Sequence, residues 1–270
     1  MSHYAVPVKP PAAVPAPAAT LVLLRDDPAE GLQVLLMRRH EKSRFAAGDF
    51  AFPGGKLHPG DDPEDAAAWC VGVDGAQAAR TLGLDDPRQA LACWIGAIRE
   101  TFEEVGVLLA TDARGGAPRL DPARAMEYRR ACQQDNRAFW TMVKAEGLRL
   151  ATDRLVYFAH WITPEDQPLR FDTRFFAAAA PADQEPALDG REVTAIRWIT
   201  PRGAMAALAR REITARPVTV RNLALFAEAT SAAAALARLR GRRVATVRPR
   251  AVVVNGERKI LLPGDPGYDG

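Results

Sequence analysis

Arg99-Glu100-Thr101-Phe102-Glu103-Glu104-Val105-Gly106-Val107 is the stretch whose reading decides the fold. It closes a strongly signalled helix. Asp86 is a good N-cap, Pro87 suits the first helical position, and Gly106 is a typical terminating glycine. At about 100° per residue from Leu91, Trp94, Ile95, Ile98, Phe102 and Val105 all lie within about 60° of one line. That stripe faces a core. Glu103, Glu100 and Glu104 fall near about 120°, 180° and 220° on the same wheel, and Arg99 lies between the two faces.

A solvated acidic face is the plain reading of such a cluster. Two features oppose it. Three carboxylates within one turn repel one another, and no lysine or arginine follows between residues 102 and 109. They also sit at the negative end of the helix dipole, where each is unfavourable by about 0.3–1 kcal/mol. A bound divalent cation removes both penalties, and hard carboxylate oxygens suit Mg²⁺ or Mn²⁺. The helix alone leaves the two readings even.

Outward from this helix, Thr20–Leu24 and Gln33–Met37 read as strands joined through Asp26-Asp27-Pro28. Phe50–Phe52 is a short strand running into Pro53-Gly54-Gly55. Residues 56–86 read as an irregular insertion, with a short helix expected near Glu64–Cys70. Val107–Ala110, Arg154–Ile162, Arg174–Ala180 and Val193–Ile199 read as strands. Residues 121–147, Pro201–Arg211 and Val220–Leu239 read as helices, and short strands follow at Val244–Val247, Ala251–Val254 and 260–262. The mixture predicts an α/β sandwich with a curved mixed sheet. Residues 5–19 are almost all Pro, Ala and Val, which excludes a helix. Residues 1–19 are therefore expected to be a disordered tail and residues 20–270 a single domain.

Composition narrows the function class. The chain has 270 residues and a net charge of +3. That is too little to argue for nucleic acid or membrane without clustering on one face. Cys70, Cys93 and Cys132 form no paired spacing, so neither a disulfide framework nor a zinc site is expected. The apolar run at 21–24 is far shorter than a signal core or a membrane helix. The reading is a cytoplasmic protein.

Phe52-Pro53-Gly54-Gly55-Lys56 followed by Arg99-Glu100-Thr101-Phe102-Glu103-Glu104-Val105-Gly106-Val107 resembles the Nudix box, G-x5-E-x7-R-E-U-x-E-E-x-G-U. Three departures stand out. Asp61 occupies the position where the family has Glu, and Glu64 is an alternative acid. Residues 62–98 intervene before the arginine, about thirty more than the family's seven. Thr101 stands at a bulky aliphatic position. A box split in this way resembles the branch of peroxisomal coenzyme A diphosphatases. Val34–Arg39, the run Phe45-Ala46-Ala47-Gly48-Asp49, Trp161–Pro164, Arg174–Phe176 and Leu261–Tyr268 are similar in kind and order.

The resemblance implies a Nudix-type α/β/α sandwich with a helical insertion at about 62–90 and a C-terminal extension at about 217–270. It implies metal-dependent cleavage of a diphosphate linkage in a small-molecule nucleotide substrate, with coenzyme A or an acyl-coenzyme A favoured. By motif position, Glu103 and Glu104 ligate Mg²⁺ (or Mn²⁺), and Glu100 either ligates metal or deprotonates water. The Gly54 carbonyl is a further ligand, and Arg99 holds a box carboxylate. Glu192, or else Glu185, adds a loop carboxylate. Arg is well matched to phosphate, so Arg38, Arg39, Lys42 and Arg44 are candidate substrate-binding residues. Trp161 and Phe176 are candidates for base stacking, although core positions suit them equally. His3, His40, His58 and His160 show no metal-ligand spacing. No nucleic acid and no membrane partner is expected, and a homodimer is left open. Two rival readings are a diphosphatase for ADP-ribose or NADH and a non-catalytic ligand sensor of the same fold. The intact Glu100, Glu103 and Glu104 weigh against the sensor.

Overall fold

The computed structural model describes residues 13–43, 46–188, 191–254 and 257–268. Its centre is an eight-stranded mixed sheet. The main path runs β10 (Thr246–Val247), β7 (Val156–Ile162), β8 (Phe171–Ala179), β1 (Ala16–Asp27), β2 (Gly31–Arg39), β3 (Phe50–Ala51). β4 (Gly54–Lys56) pairs with β1, and β9 (Val193–Ile199) pairs with β2. β1 runs parallel to β8 and β10 parallel to β7, while the other pairings in this sheet are antiparallel.

Alternation along the strands builds two cores. Leu21, Leu23, Leu35, Met37, Phe176 and Ala178 face one side. Val22, Leu24, Val34, Leu36, Phe175 and Ala177 face the other. The first side is covered by α2 (Pro87–Val105), with α1 (Gly75–Leu82), α3 (Pro122–Gln134) and α4 (Ala138–Ala145) around it. The second is covered by α5 (Pro201–Ala209), α6 (Pro217–Ala224) and α7 (Ala232–Leu239). The result is an α/β/α sandwich. The expected C-terminal extension is thus part of it: α6 and α7 close the second core and β10 extends the sheet edge. Two small pairs complete the chain, β5 (Ala110–Thr111) with β6 (Arg149–Leu150) and β11 (Arg250–Val254) with β12 (Glu257–Leu261).

Three expectations need correction. The sheet begins at Ala16, not after the expected tail boundary at 19. Residues 16–19 pair with β8, because a proline at a strand's start costs no ladder donor it needs. The strand expected at Val107–Ala110 reduces to Ala110–Thr111; residues 107–109 are buried apolar links instead. The insertion is more ordered than its composition indicated. A short 3₁₀ turn occupies Ala66–Trp69, and α1 follows, capped by Asp74, whose side chain accepts from the Gln77 amide. Among the described residues, no helix is long and apolar enough to cross a membrane.

Candidate active site

The site stands on the C-terminal half of α2. The helix starts and stops where its sequence says. Asp86 accepts from the Arg88 and Gln89 amides, and Gly106 takes the left-handed conformation with φ 74°. Arg129 satisfies the end of the helix, donating Nε to the Glu103 carbonyl (2.8 Å) and Nη2 to the Glu104 carbonyl (2.6 Å). These carbonyls lack helical partners and need such donors. Nothing in the sequence near the box announced Arg129, which comes from α3.

Arg99 is the anchor of the site. It is 1% exposed. Its Nε and Nη2 grip Asp61 at 2.6 and 3.0 Å, and Nη2 also donates to the Lys56 carbonyl at 3.0 Å. Nη1 meets Glu100 at 2.9 Å and Glu103 at 3.2 Å. Burial opposes the charge of Arg99, yet Glu100, Asp61 and Glu103 together hold its pKa above the ordinary value. Asp61 therefore performs the steadying role despite its shorter side chain, whereas Glu64 is exposed. The loop at residues 57–61 makes up the missing length by folding inward: Asp61 also accepts from the His58 amide at 2.9 Å.

The glutamates are not a solvated face. Glu100 and Glu104 are buried, and Glu103 is nearly so. Burial raises the pKa of all three; Glu103 is pushed up to about 7. Repulsion adds to this, from Glu100 on Glu104 and from Glu192 on both. Glu104 accepts from the Gly54 amide at 2.7 Å and faces Arg39 at 3.5 Å. The loop glycines let the backbone pack closely on β1 and on Glu100. A Cβ on Gly54 would lie 2.5 Å from the Ala19 carbonyl oxygen, and one on Gly55 would lie 2.6 Å from the Glu100 carboxylate.

Glu100, Glu103, Glu104 and Glu192 all line one cleft of about 580 Å³, which the end of α3 and the turn between α3 and α4 also line. Glu185 is not there; it is exposed and lies 4.0 Å from Arg25. Among the described residues, no three His, Cys, Asp or Glu side chains form a ready-made ligating group. The reason is visible: Glu100 and Glu103 lean on Arg99, and Glu104 on Gly54 and Arg39. The donor set nevertheless fits a hard divalent cation, being an excess of buried carboxylates that repel one another.

The basic run divides. Alternation on β2 sends neighbours to opposite sides. Arg39 turns to Glu104, but Arg38 bonds Glu41 and the Gly48 carbonyl outside the cleft. Lys42 is exposed, and Arg44 lies outside the described residues. Phe176 is fully buried against Trp94 and Tyr157, and Trp161 is buried in the second core, so neither is placed to stack on a base. Cys93 is a core thiol that burial pushes up to about 12. His58, at one end of the box insertion, and Gln133, Asn136 and Arg137, at the end of α3 and the turn beyond it, also line the cleft; no motif links them to the box in the sequence.

Comparison with known proteins agrees with this geometry. The NUDT19 Nudix domain family matches residues 85–225, and the NUDIX domain family matches residues 14–68. Acyl-coenzyme A diphosphatase NUDT19 of Homo sapiens is 30% identical, over 75% of this chain and 63% of that protein. The Xenopus laevis protein of the same name is 27% identical, over 64% of this chain and 54% of that protein. The chain thus spans about 54–63% of the length of these curated relatives. A NUDIX hydrolase from Alicyclobacillus acidocaldarius superposes with a TM-score of 0.69 at 30% identity, covering 83% of this chain and 96% of that one.

Proposed function

Since this chain belongs to the Nudix family, we propose that it hydrolyses the diphosphate linkage of coenzyme A or an acyl-coenzyme A. The products are 3′,5′-ADP and a phosphopantetheine. The carrying observation is the convergence of Glu100, Glu103, Glu104 and Glu192 on one cleft, with Arg99 locked beneath them by Asp61. The choice of substrate is supported by the relatives named acyl-coenzyme A diphosphatase.

Glu100, Glu103 and Glu104 would hold Mg²⁺ or Mn²⁺, with Glu192 facing them and Gly54 fixing the loop against Glu104. The cation supplies neutralisation of the diphosphate and a lowered pKa for bound water. Arg99 does not touch substrate in this reading. It sets the positions of Glu100 and Glu103 and is held by Asp61 in turn. Arg39 keeps Glu104 oriented. Three free thiols accord with a reducing compartment, and a cytoplasmic location belongs to the same proposal.

The test is incubation with Mg²⁺ and coenzyme A, acetyl-coenzyme A, ADP-ribose or NADH, with products separated by chromatography and Glu103→Gln as control. Release of 3′,5′-ADP that the substitution abolishes supports the proposal. Cleavage of ADP-ribose or NADH alone removes the coenzyme A assignment. Binding without cleavage of any of them points to the sensor.

A further inference from the structure

The cleft has more negative than positive lining, and its cations are unequally available. Glu100, Glu103, Glu104 and Glu192 face Arg99, His58 and Arg137. Arg99 is 1% exposed and already engaged by Asp61, Glu100, Glu103 and the Lys56 carbonyl. Burial, then Arg99, holds His58 below its ordinary pKa, which favours the neutral ring. Among the described lining residues, Arg137 is therefore the cation that an incoming anion can reach. Its side chain is 80% exposed. It is paired with Asp135, two residues away, at 2.7–3.1 Å. A pair in solvent of this kind is held weakly, and a phosphate offers the guanidinium more charge and a better-matched set of oxygens.

The turn around Arg137 is built to stay in place. The Trp140 indole N–H donates to the Gly60 carbonyl at 2.8 Å and ties α4 to the loop that carries Asp61. Asn136 packs on Gly60 so closely that a Cβ there would lie 2.9 Å from Nδ2. That Nδ2 is buried and has no hydrogen-bond partner. Packed on Gly60, Asn136 fixes the backbone of the turn, and Arg137 beside it carries the exposed guanidinium.

We infer that Arg137, on a turn held in place by Asn136 and Trp140 against Gly60, forms an oxyanion-recognition lip that reads a phosphomonoester of the substrate, separate from the diphosphate being cut. The inference rests on the proposed function for the substrate that would carry this group. The lip differs from the expected reader in place: Arg137 lines the cleft, whereas Arg38 and Lys42 are not among its described lining residues, Arg39 is engaged by Glu104, and Arg44 lies outside the described residues.

Calorimetric titration of the full chain with adenosine 3′,5′-bisphosphate and with AMP, both with Mg²⁺, tests the lip without requiring turnover. The wild type should prefer the bisphosphate by about tenfold, the scale of one charge-assisted contact at a rim. Arg137→Ala should reduce that ratio to near one, and Arg137→Lys should restore part of it, since lysine keeps the charge but not the fork. In turnover, Arg137→Ala should harm coenzyme A about tenfold more than dephospho-coenzyme A, chiefly through KM. No preference in the wild type, or equal losses on both members of either pair, overturns the lip. Absence of coenzyme A cleavage with the binding ratio still dependent on Arg137 would remove the proposed substrate and leave the lip standing.

Discussion

Replacing Asp61 by Asn keeps the size of the side chain and removes its charge. Asp61 and Arg99 are each 1% exposed, and their two contacts are 2.6 and 3.0 Å. Breaking a buried ion pair on one side costs about 3–5 kcal/mol, because the remaining charge stays buried and uncompensated. Glu100 and Glu103 still neutralise part of Arg99, so the lower end of that range, about 3 kcal/mol, is expected. The Asn amide nitrogen also opposes a donor either way round: in place of Oδ2 it meets both Arg99 Nη2 and the His58 amide, and in place of Oδ1 it meets Arg99 Nε. Urea unfolding followed by tryptophan fluorescence reads the loss. The double variant Asp61→Leu/Arg99→Met removes both charges and should be less destabilised than the two single variants combined, by about 2 kcal/mol or more. It should nonetheless be inactive, having lost the anchor of Glu100 and Glu103. A loss below about 1 kcal/mol for Asp61→Asn, or strict additivity in the cycle, would refute the claim that Asp61 holds the site together.

The pKa of Glu103, raised from 4.5 to about 7, has a defined sign. The folded protein binds this proton more tightly than the unfolded chain, so without metal its stability should fall as pH rises from about 4.5 to 7. Saturating Mg²⁺ should flatten that fall in a thermal melt, and Glu103→Gln should lose the Mg²⁺ effect. Gly55→Ala places a methyl 2.6 Å from the Glu100 carboxylate. Overpacking of about 1–3 kcal/mol and a higher Mg²⁺ requirement are expected; an unchanged metal titration would contradict the packing. Arg129→Met uncaps the Glu103 and Glu104 carbonyls and should cost about 2–3 kcal/mol in the same urea assay.

The parts legible in the sequence are those fixed by local chemistry. The span of α2 follows from Asp86, Pro87 and Gly106, and its apolar stripe from the period of 3.6. The bounds of β9 follow from its composition, since Val193–Ile199 is rich in β-branched and aromatic residues. What escaped was set at a distance. α1 is only eight residues long, its apolar side is built mostly of alanine, and only Ala78 within it is buried. The fate of Arg38 and Arg39 depended on which side of β2 each faces, which a run of like charges conceals. Arg129 and Asn136 act on the box from α3 and the turn beyond it, with no motif to link them to it.

The split box shows why insertion length is a poor guide to damage. A motif of acid and arginine needs the two side chains to meet, and chain closure penalises extra residues only logarithmically. Here the intervening segment packs as α1 against α2, and the chain returns Asp61 to Arg99 with both contacts made. The loop end is fixed again from outside, by Trp140 on Gly60. α4 therefore serves two purposes: through Trp140 it holds the loop residue next to the acid that anchors Arg99, and it follows directly on the turn that lines the same cleft as the glutamates. A change in that turn is expected to reach substrate preference directly, and to reach the box only through Gly60.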